Sequence, residues 1–261
     1  MTLITPNIHS IDGLESLFPG RRVVPYLLRE PDSDDLTLID TCYIKELPKL
    51  ESYIDNAGYK MSDIKRIILT HVHTDHAQAA NEVKRRTSIS ANDAAGGAKI
   101  YAHWIDSDYL AHTPKYHGPP DIKIYKELFQ KYGLDTEDVI KKFGKLEVDP
   151  IIVDKKLSDG DMIKSLKVIH TPGHTPGHIS LYLEDQRILF GADLLSNFEA
   201  SGGLVVLPAY FTLDQVTAIV SVRRVSQLNF DKLLLAHQDY PILENAQKAV
   251  QDAAKKMLDK Y

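Results

Sequence analysis

Three histidines and an aspartate lie within six residues of one another, in the segment HVHTDH at positions 71–76. The apolar run at positions 67–69, which comes just before it, is typical of a buried strand. Imidazole and carboxylate groups together are ligands for zinc, iron or manganese, and a solvated surface rarely concentrates histidine in this way. The segment therefore predicts a metal site in a loop that follows a strand.

Further candidate ligands follow the ends of other predicted strands. They are His174, Asp193 and His237. His174 lies in the sequence TPGHTPG, where proline restricts φ and glycine frees it, so the loop can be stiff and still turn sharply. Side chains at the ends of neighbouring strands can converge, and we expect these residues to join the cluster at 71–76.

The composition is that of an ordinary globular protein and argues against a nucleic-acid partner. The chain has 261 residues, of which 43% are hydrophobic and 26% are charged, and it can bury a full core. Its formal net charge is −5. The basic run Lys84-Arg85-Arg86 ends a predicted helix, where cations favour the helix dipole without any partner. A surface that follows phosphates is not expected.

The cysteine content and the start of the chain indicate a reducing compartment. The single cysteine, Cys42, cannot form an intramolecular disulfide, and we expect it to be a small buried residue rather than a nucleophile. Residues 1–10 lack the basic-then-apolar pattern of a signal peptide. No stretch approaches 18 apolar residues, so no membrane association is expected. The prediction is a cytoplasmic protein.

Apolar runs and turn residues predict a chain of mixed strands and helices without a repeat. The predicted strands are 23–28, 36–39, 66–70, 99–103, 151–153, 166–170, 179–183, 187–190 and 232–236. The predicted helices are 45–57, 77–86, 213–228 and one from about 241. Residues 104–149 differ in composition, with aromatic residues, histidine and proline first and a helical pattern near 122–142. They are interpreted as an insertion. Both halves order their elements similarly, which hints at a pseudo-symmetric pair of αβ units.

These motifs resemble the metallo-β-lactamase-fold hydrolases over nearly the whole chain. The family signature HxHxDH matches His71, His73, Asp75 and His76. Later family ligands match His174, Asp193 and His237. The run Leu38-Ile39-Asp40-Thr41 resembles the strand-end motif of the family, with Cys42 where glycine is usual.

The resemblance implies an α+β fold, a four-layer αββα sandwich, as a single domain over residues 1–261 with a helical insertion at about 104–149. It also implies two divalent metal ions, with zinc expected before iron or manganese. His71, His73 and His174 would hold one, Asp75, His76 and His237 would hold the other, and Asp193 would bridge them. A hydroxide between two metals is nucleophilic near neutral pH. Asp75 would also accept a proton, and Asp40 would steady the ligand loops.

Departures from the patterns of individual subfamilies reduce the number of subfamilies that the chain could belong to. Secreted class B β-lactamases use a cysteine where this chain has Asp193, and flavodiiron proteins carry glutamate at His73. Glyoxalase II shares the ligands, but its helical thioester-binding domain follows the last histidine ligand, and here only residues 238–261 follow His237. The basic surface of the tRNA-processing members is absent from the sequence. Small lactonases and other ester or thioester hydrolases remain.

Three functions are compatible with these residues. The leading hypothesis is hydrolysis of a small-molecule lactone, ester or thioester by a dinuclear metal site. The second is a mononuclear iron oxidoreductase similar to the persulfide dioxygenases, with iron held by His71, His174 and Asp193. The third is a metal-binding protein without turnover. The resemblance also allows a homodimer, although the sequence carries no interface signature.

Aromatic and histidine residues outside the ligand set are candidates for the substrate pocket. They are Tyr109, His112, Tyr116 and His117 in the insertion, and Tyr210 and Phe211 after a glycine pair. Tyr125, Phe129 and Tyr132 have helical spacing and could equally form the apolar face of a helix. His170 and His178 are interpreted as packing groups or as groups that support the ligands. His9 and His103 are interpreted as strand-end residues without a role.

Overall fold

The computed structural model describes residues 2–16, 22–31, 33–88, 97–112, 135, 149–198, 202–208 and 211–259. They form two compact units, each with its own hydrophobic core. The first unit is Met1–Ala102 with Ser107–Lys156, and the second is His103–Asp106 with Leu157–Tyr261. Among the described residues, no helix is long and apolar enough to span a bilayer. A single domain over the whole chain stays a prediction.

The first unit is built on a mixed sheet. Its strands are β1 (Thr2–Thr5), β2 (Ile8–Ser10), β5 (Tyr26–Arg29), β6 (Leu36–Ile39), β7 (Ile64–Leu69), β8 (Lys99–His103) and β9 (Lys155–Leu157), in the order β1-β2-β5-β6-β7-β8-β9. β3 (Leu14–Glu15) and β4 (Arg22–Val23) form a separate hairpin. The pairs β6–β7 and β7–β8 are parallel, so their carboxyl ends share one edge of the sheet.

Helices accompany this sheet. Among the described residues they are α1 (Leu47–Asn56), the single turn α2 (Thr74–Ala77), α3 (Ala80–Thr87) and α4 (Trp104–His112), with short 3-10 turns at Ile44–Glu46 and Met61–Asp63. The start of α4, up to Asp106, belongs to the second unit. In α1 the residues Leu47, Leu50 and Ile54 are buried at the i, i+3, i+7 spacing of an amphipathic helix. Each buried leucine of this kind contributes about 1.5–3 kcal/mol of stability.

The second unit contains a five-stranded sheet among its described residues. Its strands are β10 (Met162–Ile163), β11 (Leu166–His170), β12 (Ile179–Leu183), β13 (Ile188–Ala192) and β16 (Lys232–Leu235), in chain order across the sheet. β14 (Ser196–Phe198) and β15 (Gly203–Val205) form a hairpin, and a 3-10 turn lies at Glu184–Gln186. The helices are α5 (Gln215–Val225) and α6 (Ala246–Leu258).

The carboxyl ends of three strands in the second unit share one edge of the sheet. β13 and β16 are parallel, whereas β12 is antiparallel to both β11 and β13. Two antiparallel steps make β11 parallel to β13. The residues that follow β11, β13 and β16 therefore emerge on the same side, as the sequence predicted for the candidate ligands.

The predicted bounds of most long strands agree with the observed bounds within two residues. Most of the differences lie in short elements. The predicted strand at 151–153 is wrong: residues 151–153 lie outside the strands, the backbone N–H of Ile151 donates to the carbonyl of Leu110 in a helix, and the strand begins at Lys155. The run at 23–28 is broken at Val24–Pro25 into two strands. The helix predicted at about 77–86 is α3, which begins at Ala80, and the last helix begins at Ala246 rather than at about Pro241. The predicted helix near 122–142 lies outside the described residues, apart from Asp135.

Candidate metal centre

In the first unit, the four candidate ligands at 71–76 lie in the turn between β7 and α2. His73 has extended backbone angles directly before α2, which carries Asp75 and His76 in its single turn. His71 and His76 are fully buried, and Asp75 is partly exposed. Burying several imidazoles next to a carboxylate is costly unless hydrogen bonds or a cation compensate them.

Asp40, at the end of β6, organises this turn. Its backbone adopts a left-handed conformation with φ of 61°, and its side chain is buried. One carboxylate oxygen accepts the backbone N–H of Thr70 at 2.7 Å, and the other accepts the Thr70 hydroxyl at 2.7 Å. The second oxygen also lies 2.9 Å from Nδ1 of His76. A carboxylate that joins the strand end to a histidine in this way orients the imidazole ring.

These contacts determine which ring nitrogen carries hydrogen. Because Nδ1 of His76 faces a carboxylate, it donates, which leaves Nε2 with a lone pair. The hydroxyl of Thr70 donates to Asp40, so Nδ1 of His71, 3.1 Å from that hydroxyl, is the donor there. His71 then also carries its lone pair on Nε2, which lies 3.1 Å from Nδ1 of His73.

In the second unit, Asp193 lies between two histidines. One of its carboxylate oxygens is 3.2 Å from Nε2 of His174 and 3.4 Å from Nε2 of His237. Asp193 and His174 are buried. The turn that carries Asp193 is tight, with φ of 48° at Ala192 and a hydrogen bond from the N–H of Leu194 to the carbonyl of Gly191.

The loop that carries His174 is held by α5. Gly173 has φ of 131°, and a Cβ atom built on it would lie 2.3 Å from the backbone nitrogen of Ala218 in that helix. The carbonyl of Gly173 accepts the N–H of Asp214 at 2.9 Å, and the Ser221 hydroxyl donates to the carbonyl of Pro172 at 2.7 Å. Glycine is required at 173 both for its φ and for this close approach.

His178 supports the backbone of Asp193. Its Nε2 accepts the N–H of Asp193 at 3.2 Å, so its Nδ1 carries the hydrogen and donates to the carbonyl of Thr171 at 3.0 Å. With both ring nitrogens engaged in this way, His178 acts through Asp193, in agreement with its interpretation as a supporting group.

The donor set fits a divalent metal ion. The described histidines and aspartates include groups that could hold one. All donors are imidazole nitrogens or carboxylate oxygens, which zinc, iron and manganese accept. Two donors at 2.0–2.1 Å from one tetrahedral zinc lie about 3.3 Å apart. The separation is 3.1 Å for His71 and His73 and 3.2–3.4 Å around Asp193.

The predicted pocket residues are only partly described. Tyr109 is half-buried and packs against the core of the first unit. His112 is exposed, and its Nδ1 lies 3.0 Å from the carbonyl of Asp108 in the same helix. Phe211 is half-buried. Tyr116, His117 and Tyr210 lie outside the described residues, as do Tyr125, Phe129 and Tyr132. A role for any of them in a substrate pocket stays a prediction.

Three further histidines outside the candidate ligand set make ring contacts, and Cys42 is packed in the core. His103 and His170 stack with ring centroids 4.1 Å apart and an interplanar angle of 12°, so His103 has a partner that the sequence did not indicate. His9 lies edge-on to Tyr59. Cys42 is fully buried, and burial raises the pKa of its thiol, which keeps it protonated and unreactive.

Two residues in contact with the ligand loops were missed in the sequence. Thr70 was assigned only as the end of a strand, although its position directly before His71 was a signal. Asp106 was assigned to the insertion, but it is fully buried and contacts Thr175 and Gly177, which flank His174. No local signal could have found Asp106, because its partners lie about 70 positions away.

Comparison with known proteins identifies the family of the chain and agrees with its fold. A family model described as the metallo-beta-lactamase superfamily matches residues 19–237. The chain belongs to the metallo-beta-lactamase superfamily. Solved structures of this fold align with it over 99% of its length. A metallo-beta-lactamase family protein from Thermus thermophilus does so with a TM-score of 0.68 and 22% identity, over 80% of that chain.

Other similar proteins cover different shares of the chain. A subclass B3 metallo-beta-lactamase of Bradyrhizobium japonicum aligns with a TM-score of 0.64 and 21% identity, over 92% of that chain. The probable metallo-hydrolase YflN of Bacillus subtilis is 29% identical over 191 residues, which are 67% of this chain and 64% of YflN. The hydroxyacylglutathione hydrolase GloC of Haemophilus influenzae is 25% identical over 185 residues, 68% of this chain and 70% of GloC.

Proposed function

We propose that this superfamily member is a metal-dependent hydrolase that cleaves a thioester, lactone or ester bond in a small molecule. The observation that carries the proposal is which ring nitrogen of each candidate histidine ligand is engaged by a hydrogen bond. His71 and His76 are buried and have their Nδ1 atoms engaged by Thr70 and Asp40, so that Nε2 of each ring carries a lone pair. Side chains prepared in this way are suited to coordination rather than to packing.

The proposed ligands follow the family pattern. His71, His73 and His174 would hold one divalent ion, Asp75, His76 and His237 a second, and Asp193 would be shared. The ions would supply a water-derived nucleophile near neutral pH and polarise the carbonyl of the substrate. Zinc is the first expectation for both positions.

Asp75 is the proposed proton carrier. One of its oxygens accepts the Ser16 hydroxyl at 3.3 Å, and the other lies 3.7 Å from Nε2 of His76. Its side chain is 14% exposed, so a small molecule can reach it while neighbouring groups hold its position. We propose that Asp75 takes the proton of the attacking water and delivers it to the leaving group as the scissile bond breaks.

Thioesters are the first substrates to test. GloC is a hydroxyacylglutathione hydrolase, and YflN is a probable metallo-hydrolase. A thiolate leaving group needs less protonation than an alkoxide, because thiol pKa values lie near 8.5. A partly exposed carboxylate such as Asp75 is adequate for that task.

The first experiment measures metal content per chain in protein purified without chelator or added metal, followed by turnover of a thioester, a lactone and a simple ester. We expect two equivalents of zinc or manganese and hydrolysis of at least one substrate. His73→Ala and Asp193→Ala should each lower kcat/KM by at least 100-fold and reduce the metal content. Asp252→Ala, which removes an exposed carboxylate from α6, is the control and should change neither.

One iron per chain, together with oxygen uptake on a persulfide and no hydrolysis, would replace this proposal with the oxidoreductase alternative. Two bound metals with no turnover of any substrate would favour the non-catalytic alternative.

A further inference from the structure

Asp106, in the first turn of α4, is a buried carboxylate directed at the His174 loop. Its relative exposure is 0%. One oxygen accepts the hydroxyl of Thr175 at 2.9 Å, and the other accepts the backbone N–H of Gly177 at 2.7 Å. Hydrogen bonds to a buried carboxylate are among the stronger ones in proteins, and their loss leaves polar groups without compensation.

The two hydrogen bonds hold the side of the loop that α5 does not. On the amino-terminal side of His174, Gly173 is packed against Ala218 and accepts the N–H of Asp214. On the carboxyl-terminal side, Asp106 restrains Thr175 and Gly177. His174 thus lies between the contacts of Gly173 with α5 and the contacts of Asp106. Both sets of contacts restrain the backbone that carries its side chain.

Gly177 is adapted to this contact. A Cβ atom built on Gly177 would lie 2.3 Å from Oδ1 of Asp106 and 2.6 Å from both its Cγ and its backbone nitrogen. Real Cβ atoms do not approach so closely, so any larger residue at 177 would displace Asp106, both its carboxylate and its backbone. The carboxylate and the glycine therefore form one close-packed contact.

His103, at the start of the segment 103–106 that contains Asp106, contacts the same loop through His170. His103 stacks on His170, and Nε2 of His170 lies 2.9 Å from the carbonyl of Pro176. Residues 103–106 therefore contact the ends of the loop at two separate places within the second unit. The segment belongs to that unit although it lies about 70 residues earlier in the chain.

We propose that Asp106 is a positioning residue for His174, which sets the orientation of this metal ligand through Thr175 and Gly177. The inference rests on the proposed function, because it requires His174 to bind a metal. Loss of the carboxylate should leave the loop in place through its α5 contacts but allow the imidazole to rotate. Groups that orient a metal ligand typically change metal affinity by about 10–100-fold.

The test uses Co²⁺-loaded protein, with affinity measured by chelator competition and ligand geometry by the visible absorption of the bound cobalt. Asp106→Ala should weaken one of two cobalt equivalents by about 10–100-fold and change its absorption band. Thr175→Val, which removes one hydrogen bond without changing shape, should weaken it by about threefold to tenfold, while Thr175→Ser should bind as the wild type does. Asp231→Ala removes an exposed carboxylate of the same unit and is the control.

Gly177→Ala provides a second, steric test, since it displaces Asp106 without removing its charge. It should reproduce the cobalt spectrum of Asp106→Ala. If Asp106→Ala does not fold, the comparison of Thr175→Val with Thr175→Ser still decides the matter.

Wild-type cobalt affinity and spectrum in both Thr175→Val and Gly177→Ala would overturn the inference, even if their unfolding temperatures fall. A wild-type protein that binds no metal would instead overturn the proposed function. The two failures are therefore distinguishable.

Discussion

Replacing Asp40 with asparagine should disable the proposed metal ligand His76 without removing it. Asparagine has the shape of aspartate and tolerates the left-handed φ of 61° at this position. Its oxygen can still accept the N–H of Thr70, which now bonds to Oδ1 of Asp40 at 2.7 Å. Its NH₂ group, however, would face the Nδ1 of His76, where the carboxylate now accepts a hydrogen. His76 would then have to move its hydrogen to Nε2, the nitrogen proposed to bind metal.

The expected magnitudes follow from the bonds that change. The NH₂ group would replace Oδ2, which now accepts both the Thr70 hydroxyl and Nδ1 of His76. The hydroxyl can turn and accept from the NH₂ group, whereas the bond from His76 is lost, which lowers the free energy of unfolding of the metal-free Asp40→Asn protein by about 1.5–3 kcal/mol. Metal affinity should fall by about 10–100-fold, or about 1.4–2.7 kcal/mol. Asp40→Ala additionally leaves Thr70 without an acceptor and places alanine at a left-handed φ, so its stability loss should reach about 4–7 kcal/mol.

The assay combines urea unfolding of the metal-free proteins with zinc competition titrations. Asp35→Asn is the matched control, because Asp35 also lies near a strand of the first unit but contacts only the Arg66 guanidinium among the pairs described for its side chain. We expect it to keep wild-type zinc affinity.

An Asp40→Asn protein that binds zinc within about twofold of the wild-type affinity would contradict this prediction. That result would mean that the hydrogen bond between Asp40 and His76 does not determine which imidazole nitrogen is available. A fall in stability alone would show only that Asp40 is part of the packing.

Two further predictions concern stability. Gly173→Ala should lower the free energy of unfolding by about 2–4 kcal/mol, because φ is 131° and the new Cβ would meet the backbone of Ala218, whereas Gly160→Ala, with φ of 84° and open space, should cost about 1 kcal/mol in chemical denaturation. Burial, followed by the charge of His170, lowers the pKa of His103 to about 4 from 6.5. Between those pH values the unfolded chain binds a proton that the folded chain does not, so stability should fall by about 1–3 kcal/mol as the pH drops from 6.5 to 4. His103→Phe should flatten this slope in metal-free protein, and an unchanged slope would contradict the assignment.

Elements with strong local patterns were predictable, and those that depend on a partner were not. β6, β8, β11 and β12 have the predicted bounds because each is a run of apolar residues that a sheet can bury. β10, with only two residues, is specified by its pairing with β11 rather than by its own sequence. The apolar residues at 151–153 looked like a strand, yet the sheet edge is completed by residues 155–157.

The candidate site also combines features that the sequence predicts with features that depend on the folded structure. The spacing of the histidines and aspartates indicated the superfamily and the chemical class of the ligands, because donor type is a property of the side chain alone. The orientation of those donors is not. The available nitrogen of His76 depends on Asp40, 36 positions away, and the loop of His174 depends on Asp106, about 70 positions away.

The sequence by itself thus determined the family, the chemistry of the candidate donors and the order of the strands that carry them. Only the tertiary structure decided which nitrogen of each imidazole has a lone pair and what holds each ligand loop. The physical reason is that a hydrogen bond is directional and acts over about 3 Å. Its partner is therefore set by how strands and helices pack, and residues remote in the chain become neighbours only after folding.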